Sequence, residues 1–439
     1  MDIIRSFDLV ISAVFLICYS YQIFYVFIYL ISLAGPRLSR AGLRSAENAD
    51  RSRKKRGGHT GRKNRYRVLI CARNEEKVIA QLIESIKRQT YPEDHVDVFV
   101  MADNCTDSTR AEAVRRGAKV YERQNRTQVG KGYALNALLR SIRDDHGTDL
   151  YDGYFVFDAD NILSEDYIEK MDMKFTESGK DVLTSFRNSK NYSDSWVSAG
   201  NALWFMKDSA FLNRPRDMLG VDCVVSGTGF MFSKDVLRKT GGWPFHLLSE
   251  DLEFTAWCVE NDISVGYCHD RQFFDEQTSG FSQSCTQRMR WTKGYYRVTV
   301  RHFGALVKKV SDKGDFSSLD LLLSVAPGVV LTFVSRLFWT ATTLFTAAGG
   351  KGMAMLGHEM IGSFLGAYLT FFAIGALTTA ANWKRIYAPA AKKILYLFTF
   401  PLFMATYIPI SMAALFTDVR WSPIAHSKRT TLDDIRRGR

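Results

Sequence analysis

The segment at residues 67–89, RVLICARNEEKVIAQLIESIKRQ, contains a short apolar run followed by a longer amphipathic one. The run RVLIC is typical of a buried β-strand, and the stretch after it repeats apolar residues at helical spacing, namely Val78, Ile79, Leu82, Ile83 and Ile86. The alternation continues with predicted strands VDVFVMA (96–102), AKVYER (118–123) and GYFVF (153–157). This pattern predicts an α/β domain whose mostly parallel sheet is covered by helices on both faces.

Chemically active side chains are expected beyond the carboxyl ends of these strands, where ligands of open α/β sheets bind. Three strand ends are followed by such clusters: Ala72-Arg73-Asn74-Glu75, Asp103-Asn104 and Asp158-Ala159-Asp160. Asp158 and Asp160 are two positions apart, so both carboxylates can reach one hard cation while Ala159 points away. The pair therefore predicts an Mg²⁺ or Mn²⁺ site, with a plain turn as the alternative.

Two further positions of this edge have a structural and a binding interpretation. Asp103 either caps the helix predicted at TDSTRAEAV or contacts a nucleoside, and the same choice between structure and binding stays open for Glu75. Lys131 lies between two glycines at a helix start, where a cation and backbone N–H groups favour phosphate. The surrounding GKG is not a Walker loop, and no GxGxxG follows any strand.

Two later motifs carry acids and an arginine. SED at 249–251 places Glu250 and Asp251 in the first turn of a predicted helix, either as dipole partners or as a base for an acceptor hydroxyl. QRMRW at 287–291 brings Gln287, Arg290 and Trp291 within about one helical turn. Arg290 can bind a pyrophosphate in a forked geometry, whereas Trp291 either stacks a sugar ring or anchors its helix at a membrane interface.

The flanks of the α/β domain indicate a membrane protein. Residues 7–34 form an apolar stretch long enough to span a bilayer, and a cleaved signal peptide is the weaker alternative because the run exceeds a signal core. The basic run after it contributes to the net charge of +12. It is interpreted as a cytosolic flank that sets orientation rather than as a nucleic-acid patch, because it adjoins the membrane segment and lacks interleaved aromatics. No nucleic-acid partner is expected, and the seven cysteines show no zinc or CxxC spacing.

Apolar segments near 320–347, 360–381 and 394–416 are further membrane candidates, and 282–310 is predicted to be an amphipathic helix on the bilayer surface. Three spans after the domain place the carboxy-terminal tail outside, whereas its Lys and Arg content favours the inside. One span is therefore in doubt, and 394–416, which contains two prolines, is the first candidate. The predicted domains are an anchor (1–36), a basic linker (37–65), a catalytic domain (66–281), interfacial helices (282–318), a transmembrane region of about three helices (319–417) and a tail (418–439).

Taken together, Asp103, DAD, SED and QRMRW, in this order, resemble the family 2 glycosyltransferases with a Rossmann-like GT-A fold. The resemblance is to their membrane-embedded branch of cellulose, hyaluronan, chitin and poly-N-acetylglucosamine synthases. It implies that Glu75 and Asp103 hold uridine, that Asp158 and Asp160 bind UDP and metal, and that Asp251 is the general base beside Glu250. It also implies a nucleotide-sugar and acceptor site completed by Ala72, Asn74, Lys131, Gln287, Arg290, Trp291, Gly227, Thr228, Gly229 and Phe230.

The resemblance implies an inverting, processive transfer of hexose or N-acetylhexosamine from a UDP-sugar to a growing polysaccharide, which the membrane helices export. The enzyme would lie in the cell membrane with its catalytic domain in the cytosol. SED replaces the usual TED, and one span instead of several precedes the domain. Transfer of one sugar to a lipid or polyprenyl phosphate is the alternative, and a non-enzymatic membrane scaffold is the third. The sequence does not determine the oligomeric state.

Overall fold

The computed structural model describes residues 2–34, 63–147, 150–325, 353–424, 426 and 428–438, together with four single positions between 337 and 344. The predicted basic linker, except residues 63–65, lies outside the described residues, as does most of the apolar segment predicted at 320–347.

The strands of the α/β domain are β1 (Tyr66–Ala72), β2 (Val96–Asp103), β3 (Lys119–Arg123), β4 (Gly153–Asp158), β5 (Ile162–Leu163), β6 (Val182–Ser189), β7 (Phe230–Ser233) and β8 (Val265–Asp275). They form one sheet in the order β3-β2-β1-β4-β7-β6-β8-β5. β3, β2, β1 and β4 pair in parallel, and so do β6 and β8, whereas β7 is antiparallel to both neighbours and β5 is antiparallel to β8.

The predicted strands β1 to β4 are confirmed, but the sheet as a whole is mixed rather than mostly parallel. The physical reason lies in the loop before β7. Gly229 N donates to Val156 O over 3.0 Å, so the loop sits at the carboxyl end of β4. A strand that begins where its neighbour ends must run back along it, and β7 is therefore antiparallel to β4.

The helices of the α/β domain are α2 (Ile79–Lys87), α3 (Thr109–Arg115), α4 (Lys131–His146), α5 (Tyr167–Ser178), α6 (Trp196–Lys207), α7 (Arg214–Leu219), α8 (Lys234–Thr240) and α9 (Glu250–Glu260). Outside it lie α1 (Asp2–Ala34), α10 (Phe281–Lys313), α11 (Phe316–Val325), α12 (Met353–Ala381), α13 (Ala390–Ala405), α14 (Tyr407–Phe416) and α15 (Leu432–Arg437). A π-helical turn, Asp208–Asn213, joins α6 to α7.

Helices cover both faces of the sheet, as the sequence pattern predicts. Alternate residues of β1 point to opposite faces, so that Leu69 packs in one apolar cluster while Val68 and Ile70 pack in the other. The first cluster contains buried residues of α4 such as Leu135, and the second contains residues of α2 such as Leu82. Because both faces are buried, we expect a ligand to bind at the ends of the strands.

Helix α13 packs closely on α6, a pairing that the sequence does not indicate. A Cβ atom at Gly200 in α6 would lie 2.3 Å from Cγ of Phe403 in α13, so only glycine admits that ring. Thr406 follows α13 and accepts a hydrogen bond of 2.6 Å from Arg288 Nη1 in α10. The segment predicted as the most doubtful span is therefore attached to the α/β domain along α6 and α10.

Within the part of the chain that the structure describes, two helical segments are long and apolar enough to cross a membrane by length and composition: Phe364–Ala381 in α12, and Ala390–Phe416, which comprises α13 and α14. A shorter apolar stretch is described in α1, at Tyr19–Leu33. Helix α10 is a continuous helix of 33 residues that covers the predicted amphipathic segment.

The described tail residues lie on the α/β domain. Ile435 of α15 is buried with Ile162 and Phe274, and Arg436 forms an ion pair of 3.1 Å with Glu165. The tail therefore packs on the domain, and we expect the two to lie on the same side of a membrane.

Candidate active site

The carboxyl end of β1 forms one side of the site. Ala72 ends the strand, and Asn74 adopts a left-handed conformation with φ of 59°, from which its side chain accepts a hydrogen bond of 2.8 Å from Thr106 N. Glu75 follows, and its backbone N donates to Thr109 Oγ1 over 2.8 Å. Burial raises the pKa of the Glu75 carboxyl, so a partner is needed to keep it charged.

Asp103, at the end of β2, is 4% exposed and pairs with Arg123 at 2.6 Å. Arg123 in turn donates to Gln128 O over 2.7 Å. The N-cap of α3 is Ser108, so the capping alternative for Asp103 does not describe its position. Asp103 lies at the same edge of the sheet as Ala72, because Ala102, the residue before it, pairs with Ala72 in the parallel ladder of β1 and β2.

Lys131 is at the first position of α4 and reaches into the centre of the site. Its Nζ contacts Asp158 Oδ1 and donates to Gly227 O over 2.7 Å. Burial lowers the pKa of Lys131, but Asp158 and then Glu250 outweigh it and raise that pKa above its usual value. The lysine is therefore a fixed positive charge between two predicted site acids.

Asp158 and Asp160 make different contacts at the end of β4. Asp158 is partly exposed beside Lys131, whereas Asp160 is 4% exposed and accepts a hydrogen bond of 2.7 Å from Glu276 N. Burial raises the pKa of Asp160, but the charges of His426 and Lys190 and the Glu276 amide outweigh it, so the net shift is downward. The Asp160 carboxylate is therefore held in the ionised form.

The donor set fits a divalent ion that arrives with a diphosphate. Among the residues that the structure describes, no group of three or more His, Cys, Asp or Glu side chains could hold a metal ion alone. Mg²⁺ is typically bound by one or two carboxylates plus substrate phosphates, and a partly exposed aspartate such as Asp158 offers that kind of ligand. The predicted metal residues therefore suit an ion shared with the substrate.

Helix α9 presents Glu250 and Asp251 at its first turn. Burial and the neighbouring Asp251 raise the pKa of Glu250 to about 7, and burial raises the pKa of Asp251. A Cβ atom placed on Gly227 would lie 3.7 Å from Asp251 Oδ2, so the loop before β7 passes directly beside this carboxylate. A carboxylate with a raised pKa is a better proton acceptor than a fully solvated one.

The GTGF loop at 227–230 has its side chains turned to the protein. Gly227 and Gly229 have φ of 73° and 66°, which favour glycine. Thr228 Oγ1 accepts from Asp158 N over 2.8 Å, and Phe230 is 1% exposed in the core. Of the four residues of this loop predicted to contact the acceptor, Phe230 is buried in the core, whereas Gly227 is the one beside Asp251.

Helix α10 separates the two arginines of QRMRW. Burial lowers the pKa of Arg290, whereas the charges of Glu250, Asp158 and Asp251 oppose that shift, so Arg290 faces the acidic centre. Arg288 points the other way and lies 4.4 Å from the Phe403 ring.

The other two predicted residues of α10 lie at the edges of the cleft. Gln287 accepts a hydrogen bond of 3.3 Å from Thr278 Oγ1. Trp291 makes an edge-to-face contact with Phe205, whose ring centroid is 5.5 Å away. The aromatic pair gives this side of the cleft an apolar wall.

The tail supplies site residues that the sequence argument missed. His426 Nδ1 lies 2.9 Å from Glu75 Oε1, in the place where the resemblance puts uridine. Burial lowers the pKa of His426, but Asp160 and Glu75 outweigh it and raise the pKa to about 10. The histidine is therefore a cation that neutralises the buried Glu75.

Further tail contacts extend across the cleft. Arg290 Nη1 donates to Ser422 O over 3.2 Å, and Arg73 stacks on Trp421 at 5.3 Å. Lys428 pairs with Asp194 at 2.8 Å. The cluster of Trp, His and Lys in the tail was visible in the sequence, but nothing local connects it to strand ends more than 250 residues away.

Arg187 is a second group that the sequence argument missed. It projects from β6, donates from Nε to Asp275 Oδ2 over 2.7 Å and from Nη1 to Ser226 O over 3.0 Å. Its guanidinium also lies 3.6 Å from the Phe205 ring centroid. Arg187 therefore ties β6 and β8 to the loop that passes Asp251, although no motif marks it.

The acids, the lysine and the arginine of this cleft lie in a region that matches a known family. Residues 64–294 match the family described as "Glycosyltransferase like family 2". The chain belongs to this family. The family 2 domain thus covers β1 to β8 and the first part of α10, and it includes every predicted site residue from Ala72 to Trp291.

Curated relatives of this family 2 chain are distant. A β-monoglucosyldiacylglycerol synthase of Synechocystis is 25% identical over 296 residues, which cover 64% of this chain and 60% of that enzyme. A poly-β-1,6-N-acetyl-D-glucosamine synthase of Staphylococcus epidermidis is 23% identical over 247 residues, which cover 55% of this chain and 57% of that enzyme. The chain thus spans about 60% of the length of the curated relatives that it matches.

A solved structure supports the fold. A mannosyltransferase of Pyrobaculum calidifontis, in complex with GDP-Man and Mn²⁺, has a TM-score of 0.50 and 14% identity, and the match covers 89% of this chain and 99% of that chain. The GT-A fold expected for a family 2 domain is confirmed.

Proposed function

We propose that the protein is an inverting family 2 glycosyltransferase that uses a UDP-hexose or a UDP-N-acetylhexosamine. The observation that carries this proposal is the convergence of opposite charges in one cleft. Asp158, Glu250 and Asp251 all act on the charge of Arg290, and Lys131 contacts Asp158. Cations beside a strand-end aspartate suit a diphosphate, and a buried carboxylate opposite them suits an acceptor hydroxyl.

In the proposed step, the Asp251 carboxylate takes the proton of the acceptor hydroxyl while the hydroxyl oxygen attacks the anomeric carbon of the donor. The bond from that carbon to the diphosphate oxygen breaks, and UDP leaves with the electron pair. Arg290 stabilises the charge that develops on the leaving diphosphate. A divalent cation held by Asp158 and Asp160 would supply further charge stabilisation when bound.

Donor recognition is assigned to the strand ends and to α10. Glu75 and Asp103 would hold uridine, with Ala72 and Asn74 forming the adjoining backbone, and the Glu75 contact requires that His426 leave this carboxylate. Gln287 and Arg290 would contact the diphosphate. Lys131 already lies beside Asp158, where a phosphate oxygen would replace or join that carboxylate.

We propose a growing polysaccharide as the first candidate for the acceptor. The aromatic pair of Trp291 and Phe205 supports this choice, because aromatic rings provide stacking surfaces for sugars. The relationship to a poly-β-1,6-N-acetyl-D-glucosamine synthase and the two apolar helices after the domain support processive synthesis with export across a membrane.

A lipid acceptor is the second candidate. It is favoured by the relationship to β-monoglucosyldiacylglycerol synthases, whose names describe transfer to a glycerolipid. In this case one sugar is added, and no export path is needed. The third interpretation, a non-enzymatic scaffold, is set aside because the chain carries a family 2 glycosyltransferase domain.

Product analysis separates the two acceptors. The purified full-length protein in lipid nanodiscs is incubated with a panel of UDP-sugars and Mg²⁺ or Mn²⁺, with scarce enzyme and excess primer. Long products beside unused primer at the earliest times are expected for a processive enzyme. A single-sugar lipid as the only product would defeat the synthase proposal and establish the lipid acceptor.

The same preparation tests the base. Asp251→Asn should lower turnover by about 100-fold or more while UDP affinity stays nearly unchanged, because the carboxylate acts on the acceptor. Asp235→Asn is the matched control, since Asp235 is an exposed acid of α8 that pairs only with Arg238 among the described contacts. Turnover of Asp251→Asn within tenfold of the control would show that another group is the base.

A further inference from the structure

We infer that Arg214, His269 and Arg385 form a binding site for the phosphate of an anionic lipid, outside the cleft described above. His269 Nε2 lies 3.0 Å from Arg214 Nη1 and 3.3 Å from Arg385 Nη2. Arg385 Nη2 also donates to His269 O over 3.0 Å. Two guanidinium groups from distant parts of the chain thus meet on one imidazole.

The imidazole between the two arginines is neutral. Burial lowers the pKa of His269, and the charges of Arg385 and Arg214 lower it further, to about 2. Its Nε2 therefore accepts hydrogen bonds and carries no charge that could compensate the arginines. The cluster has two positive charges and one shared lone pair.

No carboxylate of the described residues forms an ion pair with this cluster. Neither Arg214 nor Arg385 forms an ion pair with any acid that the structure describes, although Asp270, next to His269, acts weakly on Arg385 through its charge. By contrast, the nearby Arg216 is paired with Asp320 at 2.7 Å. Arg214 and Arg385 thus bring two positive charges to one imidazole, and neither charge is neutralised by an ion pair among the described residues.

Donors of the cluster also lack acceptors. Arg385 Nη1 and His269 Nδ1 are buried and have no hydrogen-bond partner among the described atoms. A buried donor without an acceptor is costly, particularly on a charged group. A phosphate, with several anionic oxygens, supplies the acceptors that two guanidinium groups require and matches their forked geometry.

The position of the cluster indicates which phosphate it meets. Arg214 lies 5.1 Å from the ring centroid of Tyr29 in the apolar helix α1, and Tyr29 packs in one cluster with Ala381, the last residue of α12. Arg385 follows α12 after a short turn and stacks on Phe186 at 4.2 Å. The site thus lies where two apolar helices meet the catalytic domain, and in a membrane this is the level of the lipid headgroups.

The test measures binding and does not depend on transferase activity. The purified full-length protein in detergent is titrated with dioctanoyl phosphatidic acid, with dioctanoyl phosphatidylcholine and with inorganic phosphate, while its melting temperature is followed. Phosphatidic acid should raise the melting temperature by several degrees and the other two should not. An equal effect of inorganic phosphate would assign the site to a free anion, and an equal effect of phosphatidylcholine would overturn an anionic-lipid site.

Variants localise the effect. Arg385→Gln should weaken phosphatidic acid binding by about tenfold or more, because it removes one charge-assisted contact. Lys384→Gln, which removes the exposed neighbouring charge, is the matched control and should bind like the wild type. Arg214→Gln gives a second test if Arg385→Gln does not fold. Binding that is unchanged in the Arg variants, or weakened equally in Lys384→Gln, would overturn the inference.

Discussion

The contact between Gly294 and Ser249 provides a sharp test of the site geometry. Gly294 lies in α10, four residues after Arg290 and so on the same face of the helix. Ser249 is the N-cap of α9, directly before Glu250 and Asp251. This contact therefore sets the distance between the helix that carries Arg290 and the helix that carries the predicted base.

Gly294→Ala should push these helices apart. A Cβ atom at Gly294 would lie 2.1 Å from Ser249 Oγ and 2.9 Å from Ser249 N, and the latter is backbone that cannot rotate away. Carbon contacts are comfortable at about 3.5–4.0 Å, so the backbones must separate by roughly 0.5–1 Å. Because a displacement of ~1 Å in an active site can cost 10²-fold in rate, we expect turnover to fall about 10- to 100-fold.

Stability should change much less than turnover. Overpacking costs about 1–3 kcal/mol, whereas replacing glycine by alanine inside a helix gains about 0.8–1.0 kcal/mol, so the two effects partly cancel. Gly304→Ala is the matched control in the same helix, since nothing lies within 4 Å of its added Cβ atom. That variant should be as active as the wild type and slightly more stable.

Sugar transfer and thermal unfolding are measured on both variants in the same detergent. Turnover of Gly294→Ala within threefold of Gly304→Ala would refute the reasoning that this contact positions Arg290 opposite Asp251. A large loss of stability in Gly294→Ala, with turnover of the remaining folded protein unchanged, would refute it as well.

Three further outcomes are expected. Asp160→Ala should weaken UDP binding in the presence of Mg²⁺ or Mn²⁺ but not after chelation, and full turnover of chelator-treated protein would contradict the metal assignment. On a cysteine-free background, cysteines placed at Lys54 and at Asp418 should resist an impermeant thiol reagent in intact cells and react after permeabilisation. Labelling of only one of them in intact cells would show that the basic linker and the tail lie on opposite sides of the membrane. In nucleotide-free protein, the contact between His426 and Glu75 should protect the tail from proteolysis. The raised pKa of His426 means that this stabilisation is complete below the unfolded value of about 6.5 and is lost as the pH rises through about 10, so protection that is constant up to that pH would exclude the ion pair.

Much of the catalytic edge was predictable because its strands and acids follow from short stretches of sequence. The strands β1 to β4 appear as apolar runs, and the acids at their ends follow directly, so the carboxyl edge of the sheet could be assembled in advance from Glu75, Asp103 and Asp158. The motif at 249–251 lies at a helix start, as expected. In each case the relevant information lies within one element and the residues next to it.

Other features required the tertiary structure. The reversal of β7 depends on where the preceding loop meets β4, and the roles of the two arginines of QRMRW depend on which neighbours α10 acquires. Short-range patterns assign a residue to a helix face, but they do not say what that face will contact.

The amino-acid sequence by itself determined the α/β alternation, the acids of the strand ends and the order of the motifs, because periodicity and strand-end polarity act over a few residues. Only the tertiary structure decided that the tail reaches the cleft, that His426 neutralises Glu75 and that Arg187 binds Asp275. These contacts join residues far apart in the chain, and they form because burial of one charge requires an opposite charge from whichever segment the packing brings near.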